Sequence, residues 1–218
     1  MGFVKICGIT NCDDARELLA YGVDAVGLNF FSGSARCVSL EGASKLLALL
    51  SSAPSMWKVG VFVDHCFDSL LELLEILALD TLQFHGGESA ELCREFQKRG
   101  YRIIKALRLK GGDEDLFRLD SYRNSVDFFL LDAYHPSLHG GTGLRIEEGL
   151  VERLYSAGLA PSSVILSGGL GPSNVSAEIE RLGPFGVDVA SGVESSPGIK
   201  DRDKLRAFVE AARASFLD

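Results

Sequence analysis

The sequence predicts an α/β protein with the (β/α)8 architecture of a TIM barrel. Short apolar runs alternate with amphipathic segments along the 218 residues, and the eight units that result are typical of a barrel rather than an open sheet. No GxGxxG turn follows the first run, as a doubly wound nucleotide-binding sheet would require. The chain shows no linker, composition break or low-complexity tract, so we predict a single domain over residues 1–218.

Each predicted strand is a short apolar run, and each predicted helix is a longer segment with apolar residues on one face. The predicted strands cover residues 3–7, 25–29, 58–63, 81–85, 103–107, 128–132, 164–167 and 187–190. The predicted helices cover residues 13–21, 40–50, 68–77, 90–99, 114–122, 147–154, 172–182 and 202–216. Alternation places Lys5 on the same strand face as Cys7, and Asp188 on the same face as Ala190. Because strand eight lies beside strand one in a closed barrel, we expect a Lys5–Asp188 ion pair inside it.

The composition excludes several classes of protein. Hydrophobic residues make up 46% of the chain and charged residues 24%, which is enough for a full core. The net charge of -8 argues against nucleic-acid binding, and no apolar run is long enough to cross a membrane. The five cysteines lack the spacing of a disulfide framework or a zinc site. We therefore expect a cytoplasmic protein without a bound metal.

Two glycine-containing turns near the C-terminus predict a phosphate site. Ser-Gly-Gly-Leu at 167–170 follows the seventh predicted strand, and Ala-Ser-Gly-Val at 190–193 follows the eighth. Each turn leaves backbone N–H groups uncovered at a helix start, where the amides and the helix dipole favour an anion. TIM barrels build their phosphate site from these two loops, so we expect a phosphorylated small-molecule ligand. The residues expected to hold it are Gly168, Gly169, Ser191 and Gly192.

Cys7, His85 and Asp132 end predicted strands, where the active sites of TIM barrels lie. A buried cysteine is often only a small hydrophobe, and an aspartate after a strand often caps the next turn. A thiol and a carboxylic acid facing each other across the mouth also form a base and an acid, which can move protons on a sugar phosphate. A cation such as Lys5 would increase the thiolate fraction of Cys7, whose unperturbed pKa is roughly 8.5. We expect His85 to hydrogen-bond the loop beneath it.

Two predicted loops add further candidates. Arg36 lies after the second strand, where it either binds a carboxylate with its guanidinium fork or remains a solvated side chain. The long loop after the sixth strand contains Gly-Gly-Thr-Gly at 140–143, and such loops can act as lids. His135 and His139 in this loop lack the companions of a metal site, and we expect them at the surface.

These residues, in this order, resemble the phosphoribosylanthranilate isomerase family of tryptophan biosynthesis. The similar segments cover nearly the whole chain and fall at nearly every predicted strand end. They are Val-Lys-Ile-Cys-Gly-Ile-Thr at 4–10, Gly-Leu-Asn-Phe-Phe at 27–31 with the loop 34–39, Val-Gly-Val-Phe-Val at 59–63, Leu-Gln-Phe-His-Gly at 82–86, Leu-Leu-Asp at 130–132, Gly-Gly-Thr-Gly at 140–143, Leu-Ser-Gly-Gly-Leu at 166–170 with Asn-Val at 174–175, and Gly-Val-Asp-Val-Ala-Ser-Gly-Val-Glu at 186–194.

The resemblance implies an Amadori rearrangement of N-(5-phosphoribosyl)anthranilate to 1-(2-carboxyphenylamino)-1-deoxyribulose 5-phosphate, without a cofactor. It implies that Asp132 is the general acid for the furanose ring oxygen and that Cys7 is the general base for the C2 proton. Arg36 matches the arginine that holds the anthranilate carboxylate. Glycine amides around Gly141, Gly169 and Gly192 match the phosphate site. The substrate-binding residues expected there are Gly141, Gly143, Gly168, Gly169, Ser191 and Gly192.

Two alternatives remain open: another phosphosugar isomerase on the same barrel, and a non-catalytic barrel that binds a phosphorylated metabolite. The histidine-pathway isomerase typically has an aspartate where Cys7 stands, which counts against the first. Three departures from the family pattern bear on lid packing and loop rigidity. They are Ile-Glu-Glu at 146–148 in place of Phe-Asp-Trp, Ala35 in place of Pro, and Phe84 in place of Leu. Whether the chain is a monomer or a homodimer stays open.

Overall fold

Eight parallel strands close into a barrel in which neighbours along the chain are also neighbours in the sheet. The computed structural model describes residues 2–133 and 149–217. The strands are β1 (Phe3–Cys7), β2 (Ala25–Asn29), β3 (Trp57–Phe62), β4 (Thr81–Phe84), β5 (Arg102–Leu109), β6 (Phe128–Ala133), β7 (Val164–Leu166) and β8 (Gly186–Val189). The last strand pairs with the first and closes the barrel. The predicted (β/α)8 barrel is confirmed, and each strand begins and ends within two residues of its prediction.

Helices follow the strands in regular alternation, and the described residues contain α1 to α8. Their bounds are α1 (Cys12–Tyr21), α2 (Leu40–Leu50), α3 (Phe67–Ile76), α4 (Ala90–Lys98), α5 (Asp113–Tyr122), α6 (Leu150–Ser156), α7 (Val175–Leu182) and α8 (Arg202–Ser215). Four of them are preceded by an N-cap residue whose side chain accepts a hydrogen bond from a backbone N–H of the first turn. These caps are Asn11, Ser39, Ser89 and Asp201. No helix in the described ranges has the length and apolar composition that a membrane crossing needs.

Two helices differ from their predicted bounds by more than one residue. The prediction of 147–154 begins at residues outside the described ranges, and the described helix α6 runs from Leu150 to Ser156. The prediction of 172–182 begins too early, since α7 begins at Val175. Asn174 explains the later start: its Oδ1 accepts the Gly171 amide at 2.7 Å, so the preceding residues form a turn.

Apolar residues form two separate layers, one between strands and helices and one inside the barrel. Inside the barrel, aromatic rings close the end at which the strands begin. Phe3, Trp57, Phe128 and Phe185 pack together, with Phe3–Trp57 and Phe128–Phe185 ring centroids 4.4 and 4.5 Å apart. The guanidinium of Arg102 stacks over Trp57 at 3.6 Å from the ring centroid. This apolar plug leaves the opposite end, where the strands finish, for polar side chains.

A buried ion pair joins the first and last strands. Lys5 and Asp188 are register partners on β1 and β8, and Lys5 Nζ lies 2.7 Å from Asp188 Oδ1. Lys5 is fully buried, and Asp188 also accepts a hydrogen bond from the Ser167 hydroxyl at 3.1 Å. The ion pair predicted from strand alternation is therefore confirmed.

A short antiparallel hairpin, which the sequence patterns did not predict, lies between β8 and α8. Its strands are β9 (Glu194–Ser196) and β10 (Ile199–Lys200), and Gly198 turns between them with a left-handed φ of 83°. The pairing places Lys200 directly opposite Glu194. Two charged side chains are thereby brought to the rim of the barrel, next to the end of β1.

Candidate active site

A cavity of about 680 Å³, part of it open to solvent, lies at the carboxyl ends of the strands. Every predicted site residue within the described ranges lines it: Cys7, Arg36, Asp132, Gly168, Gly169, Ser191 and Gly192. Gly141 and Gly143, together with His135, His139 and the 146–148 segment, lie outside the described residues. The fold thus brings residues from both ends of the sequence into one cavity.

Cys7 ends β1, with its side chain directed into the barrel. It is a register partner of Gly27 on β2, and a Cβ at residue 27 would approach the Cys7 Sγ to 2.7 Å. A glycine is therefore needed beside this thiol, because any larger residue would displace it. The residue is only 9% exposed, yet it lines the cavity.

Burial and the nearby charges together set the pKa of the Cys7 thiol. Burial raises the pKa of the Cys7 thiol above its ordinary value, and the Asp188 carboxylate raises it further. Lys5 and Lys200 lower the pKa but do not outweigh burial. Lys5 thus lowers the pKa of Cys7, as expected. The net pKa is nevertheless raised, so the thiolate fraction falls where the sequence predicted a rise. The reason is that burial has the largest effect on this pKa and that the Asp188 carboxylate raises it further.

Asp132 ends β6 and presents one carboxylate oxygen to the backbone and the other to a histidine. Its Oδ1 accepts the Ala133 amide at 2.9 Å, and its Oδ2 lies 3.5 Å from His85 Nε2. Gly168 stands close by with a left-handed φ of 81°, and a Cβ there would come within 2.9 Å of Asp132 Oδ1. The carboxyl group is thus held at the cavity wall by its neighbours, with one oxygen available for chemistry.

His85 lies between two side chains rather than bonding the loop beneath it. Its Nδ1 is 3.2 Å from Gln83 Nε2, so with the amide in this orientation Nδ1 is the acceptor and Nε2 carries the proton. That Nε2 is buried and forms no hydrogen bond within the described ranges. It faces Asp132 and the cavity, so His85 belongs to the site, which differs from the role expected from sequence.

The two predicted phosphate loops lie side by side. Gly168 and Gly169 both have left-handed backbone, and their amides form no hydrogen bond with another described residue. A Cβ at Gly192 would overlap the carbonyl oxygen of Leu170, so the second loop passes the first at a distance that only glycine allows. Asn174 holds the first loop by donating from Nδ2 to the Gly169 carbonyl at 3.0 Å. Uncovered amides in rigid adjacent loops are suited to an anion.

Arg36 is held by a carboxylate and is not a solvated loop residue. Its Nε donates to Glu194 Oε1 at 2.8 Å, and its Nη2 donates to Glu194 Oε2 at 2.6 Å. The hydrogen bonds from Glu194 raise the pKa of Arg36, which keeps it charged. Burial opposes the ionisation of Glu194, but Arg36 and Lys200 outweigh it and lower the pKa of Glu194. The cavity wall therefore has a fixed cation near the end of β1.

The sequence patterns missed several residues of this cavity region, among them Gln83, Glu194 and Lys200. Gln83 faces the cavity from the interior of β4, and Glu194 and Lys200 belong to the unpredicted hairpin. Glu194 ended one of the family-like segments, which was the only signal pointing to it. The described residues contain no group of three or more His, Cys, Asp or Glu side chains arranged to hold a metal ion.

The family of the chain follows from comparison with known proteins. A model of the N-(5'phosphoribosyl)anthranilate (PRA) isomerase family matches residues 4–211. The chain belongs to this family. The resemblance inferred from the strand-end motifs is therefore confirmed.

Named PRA isomerases match the chain over nearly its whole length. The enzyme of Pseudomonas paraeruginosa is 43% identical over 215 residues, covering 99% of this chain and 97% of that protein. The enzyme of Chlorobium luteolum is 38% identical over 214 residues, covering 97% of each. The crystal structure from Thermotoga maritima has a TM-score of 0.86 at 36% identity, covering 98% of this chain and 100% of that one.

A further crystal structure of a PRA isomerase contains a ligand. It is a complex with reduced 1-(o-carboxyphenylamino)-1-deoxyribulose 5-phosphate, and it matches with a TM-score of 0.82 at 36% identity. The match covers 98% of this chain and 100% of that one. That ligand carries both a phosphate and a carboxylate.

Proposed function

We propose that this chain isomerises N-(5'-phosphoribosyl)anthranilate to 1-(2-carboxyphenylamino)-1-deoxyribulose 5-phosphate in tryptophan biosynthesis. The observation that supports this best is that one cavity is lined by all the groups the reaction needs, in a chain of the PRA isomerase family. These groups are a thiol, a carboxyl group, a fixed arginine and two glycine loops with unbonded amides. The barrel provides rigid strand ends for the two reacting groups. The reaction is an aldose-ketose isomerisation, in which the oxidation and the reduction occur within one substrate molecule.

The substrate binds at its two charged ends. Its 5-phosphate accepts hydrogen bonds from the amides of Gly168, Gly169, Ser191 and Gly192, and Gly141 and Gly143 complete this site. Its anthranilate carboxylate pairs with Arg36. Binding at both ends places the ribose carbons C1 and C2 between Cys7 and Asp132, which converts proton transfer into a local step.

Asp132 acts first, as the general acid. It donates a proton to the furanose ring oxygen while the C1–O bond breaks, and the lone pair of the anthranilate nitrogen forms a C=N bond to C1. The product of this step is an open-chain Schiff base. The carboxyl oxygen that faces the cavity beside His85 is the one in place for this transfer.

Cys7 acts second, as the general base. Its thiolate removes the C2 proton, and the electrons of that C–H bond form a C1=C2 double bond as the iminium nitrogen is neutralised. The resulting enolamine tautomerises to the ketone. Both proton transfers are supplied by side chains, so the reaction needs no metal or organic cofactor.

We further propose that the chain acts as a single domain in the cytoplasm on a free phosphorylated metabolite. Five cysteines without the spacing of a disulfide framework are typical of a protein in a reducing compartment. The net charge of -8 disfavours nucleic acid as a partner.

Turnover by the unaltered chain tests the proposal. Purified protein is mixed with N-(5'-phosphoribosyl)anthranilate, and the fall in anthranilate fluorescence is followed as the substrate rearranges. We expect a fall proportional to enzyme concentration, and no turnover of the analogous histidine-pathway substrate. Binding of the phosphorylated substrate without turnover would show a non-catalytic barrel instead, and preference for the histidine-pathway substrate would show the other isomerase.

A further inference from the structure

A buried ionic cluster lies behind Arg36, on the side away from the cavity. Glu194 Oε1 accepts from Arg36 Nε at 2.8 Å, from Lys200 Nζ at 3.0 Å and from the Gly198 amide at 3.2 Å. Its Oε2 accepts from Arg36 Nη2 at 2.6 Å. With four donors on two oxygens and a buried side chain, the Glu194 carboxylate has no freedom to rotate.

The cluster is anchored to the barrel rather than to a loop alone. Lys200 Nζ also donates to the carbonyl oxygens of Cys7 at 2.7 Å and Ala190 at 3.0 Å. These carbonyls lie where β1 and β8 end, directly beside the candidate general base and the second phosphate loop. Arg36 is therefore held, through Glu194 and Lys200, by the same strand ends that position Cys7.

The way Glu194 binds Arg36 leaves a defined edge of the guanidinium free. A guanidinium has five N–H donors, and Glu194 takes the side-on edge formed by Nε and Nη2. Nη1 forms no hydrogen bond with a described residue, and the second N–H of Nη2 points the same way. Arg36 lines the cavity, whereas Glu194 does not. The end-on edge of Nη1 and Nη2 is thus available for a second carboxylate, without displacing the first.

We propose that Glu194 is a positioning residue that holds Arg36 with its end-on edge toward the cavity, and so makes the enzyme selective for substrates with a carboxylate on the aromatic ring. This inference rests on the proposed function, in which Arg36 binds the anthranilate carboxylate. An arginine with no partner would sample many rotamers and lose that orientation. Glu194 removes this freedom before the substrate arrives.

Selectivity between two ligands tests the role. One ligand is reduced 1-(o-carboxyphenylamino)-1-deoxyribulose 5-phosphate, and the other is the same compound with an unsubstituted phenyl ring. Dissociation constants are measured by calorimetry for the unaltered protein, Glu194→Gln, Arg36→Met and the double variant. The ratio of the two constants reports carboxylate recognition, while the phosphate contribution cancels.

We expect the unaltered protein to prefer the carboxylated ligand and Arg36→Met to abolish the preference. Glu194→Gln should reduce the preference by about tenfold or more, because an amide offers one acceptor and turns its NH2 toward a guanidinium N–H. It should cause no further loss of preference in the Arg36→Met background. Glu194→Asp, which keeps the charge but withdraws the oxygens by one methylene, should show the same selective loss and serves if the glutamine variant does not fold.

Other outcomes overturn the inference. Equal weakening of both ligands by Glu194→Gln would show a purely structural carboxylate, and tighter binding of the carboxylated ligand would show that Glu194 competes with it. If Arg36→Met removes the preference but both Glu194 variants keep it, only the positioning role fails. If the unaltered protein shows no preference at all, the carboxylate site of the proposed function fails as well.

Discussion

At the scale of single residues, Cys7, the proposed general base, has two properties that oppose each other in that role. Burial raises the pKa of its thiol, which makes the thiolate a stronger base and also a rarer species. Lys5 and Lys200 offset part of this effect, and Asp188 adds to it. The net effect is a raised pKa, which favours the protonated thiol in the free protein. The thiolate fraction should therefore grow with pH.

We expect the alkylation rate of Cys7 by iodoacetamide to rise with pH, with a midpoint above 9.0, since only the thiolate reacts. Cys66 is an internal control, because hydrogen bonding with Ser69 lowers the pKa of its exposed thiol below 9.0. Peptide mass spectrometry over a pH series measures both midpoints in one sample. A Cys7 midpoint at or below that of Cys66 would contradict the assignment of burial as the dominant influence.

The sequence could locate some site residues and not others, for a geometric reason. Cys7 and Asp132 end apolar runs, and the end of a parallel strand is at the mouth of a barrel whatever the rest of the chain does. Glu194 and Lys200 follow a single short turn, where no period exists to assign a face. Only the pairing of the hairpin brings them together beneath Arg36, and that is a property of the folded chain.

At the scale of elements, the proposed phosphate site depends on how closely two loops pass each other. Gly192 lies against the Leu170 carbonyl, and a Cβ there would overlap that oxygen. Gly171, in the neighbouring loop, has room, since a Cβ there would lie 3.7 Å from the nearest atom, the Gly192 carbonyl oxygen. Substituting each glycine therefore tests two cases: at Gly192 an added Cβ would push the loops apart, and at Gly171 it would not.

We predict that Gly192→Ala weakens binding of reduced 1-(o-carboxyphenylamino)-1-deoxyribulose 5-phosphate by roughly tenfold or more, because separating the loops misplaces the amides by about an ångström. Gly171→Ala is the matched control and should bind as the unaltered protein does. Calorimetric titration of the two variants measures the difference. Equal affinity in both would mean that the close approach of the loops is not required for the phosphate.

Element bounds agreed well with prediction wherever a periodic pattern reached the end of the element. The strands matched within two residues because buried runs are flanked by polar or glycine residues. The predicted start of α7 was wrong, because Asn174 accepts a hydrogen bond from the Gly171 amide and the residues before the helix form a turn. Such a side-chain bond leaves no trace in the hydrophobic period, and the same is true of the short β9–β10 hairpin.

At the scale of the whole molecule, barrel closure brings the two ends of the chain together. The Lys5–Asp188 pair crosses the seam between β1 and β8 and is buried. Lys5 keeps a raised pKa because its attraction to Asp188 and Cys7 exceeds the cost of burial. This closure was predictable, because eight β/α units make the first and last strands neighbours and strand alternation places both residues on the inner face.

We predict that Asp188→Asn lowers the free energy of unfolding by about 3–5 kcal/mol, since it leaves the Lys5 ammonium buried without a counter-charge. Glu41→Gln, which breaks the exposed pair with Lys45, should leave stability nearly unchanged. Urea unfolding followed by the fluorescence of Trp57, the only tryptophan, compares them. Similar effects of the two substitutions would show that the seam pair does not stabilise the barrel.

The central claim is that Cys7 and Asp132 are the base and the acid of one isomerisation. The direct test is the kcat of Cys7→Ser and Asp132→Asn with N-(5'-phosphoribosyl)anthranilate, with Cys66→Ser as the control for loss of a thiol. We expect each site variant to lose about 10²–10⁴-fold or more in kcat while remaining folded, and the control to turn over normally. Near-normal kcat in either Cys7→Ser or Asp132→Asn would contradict it.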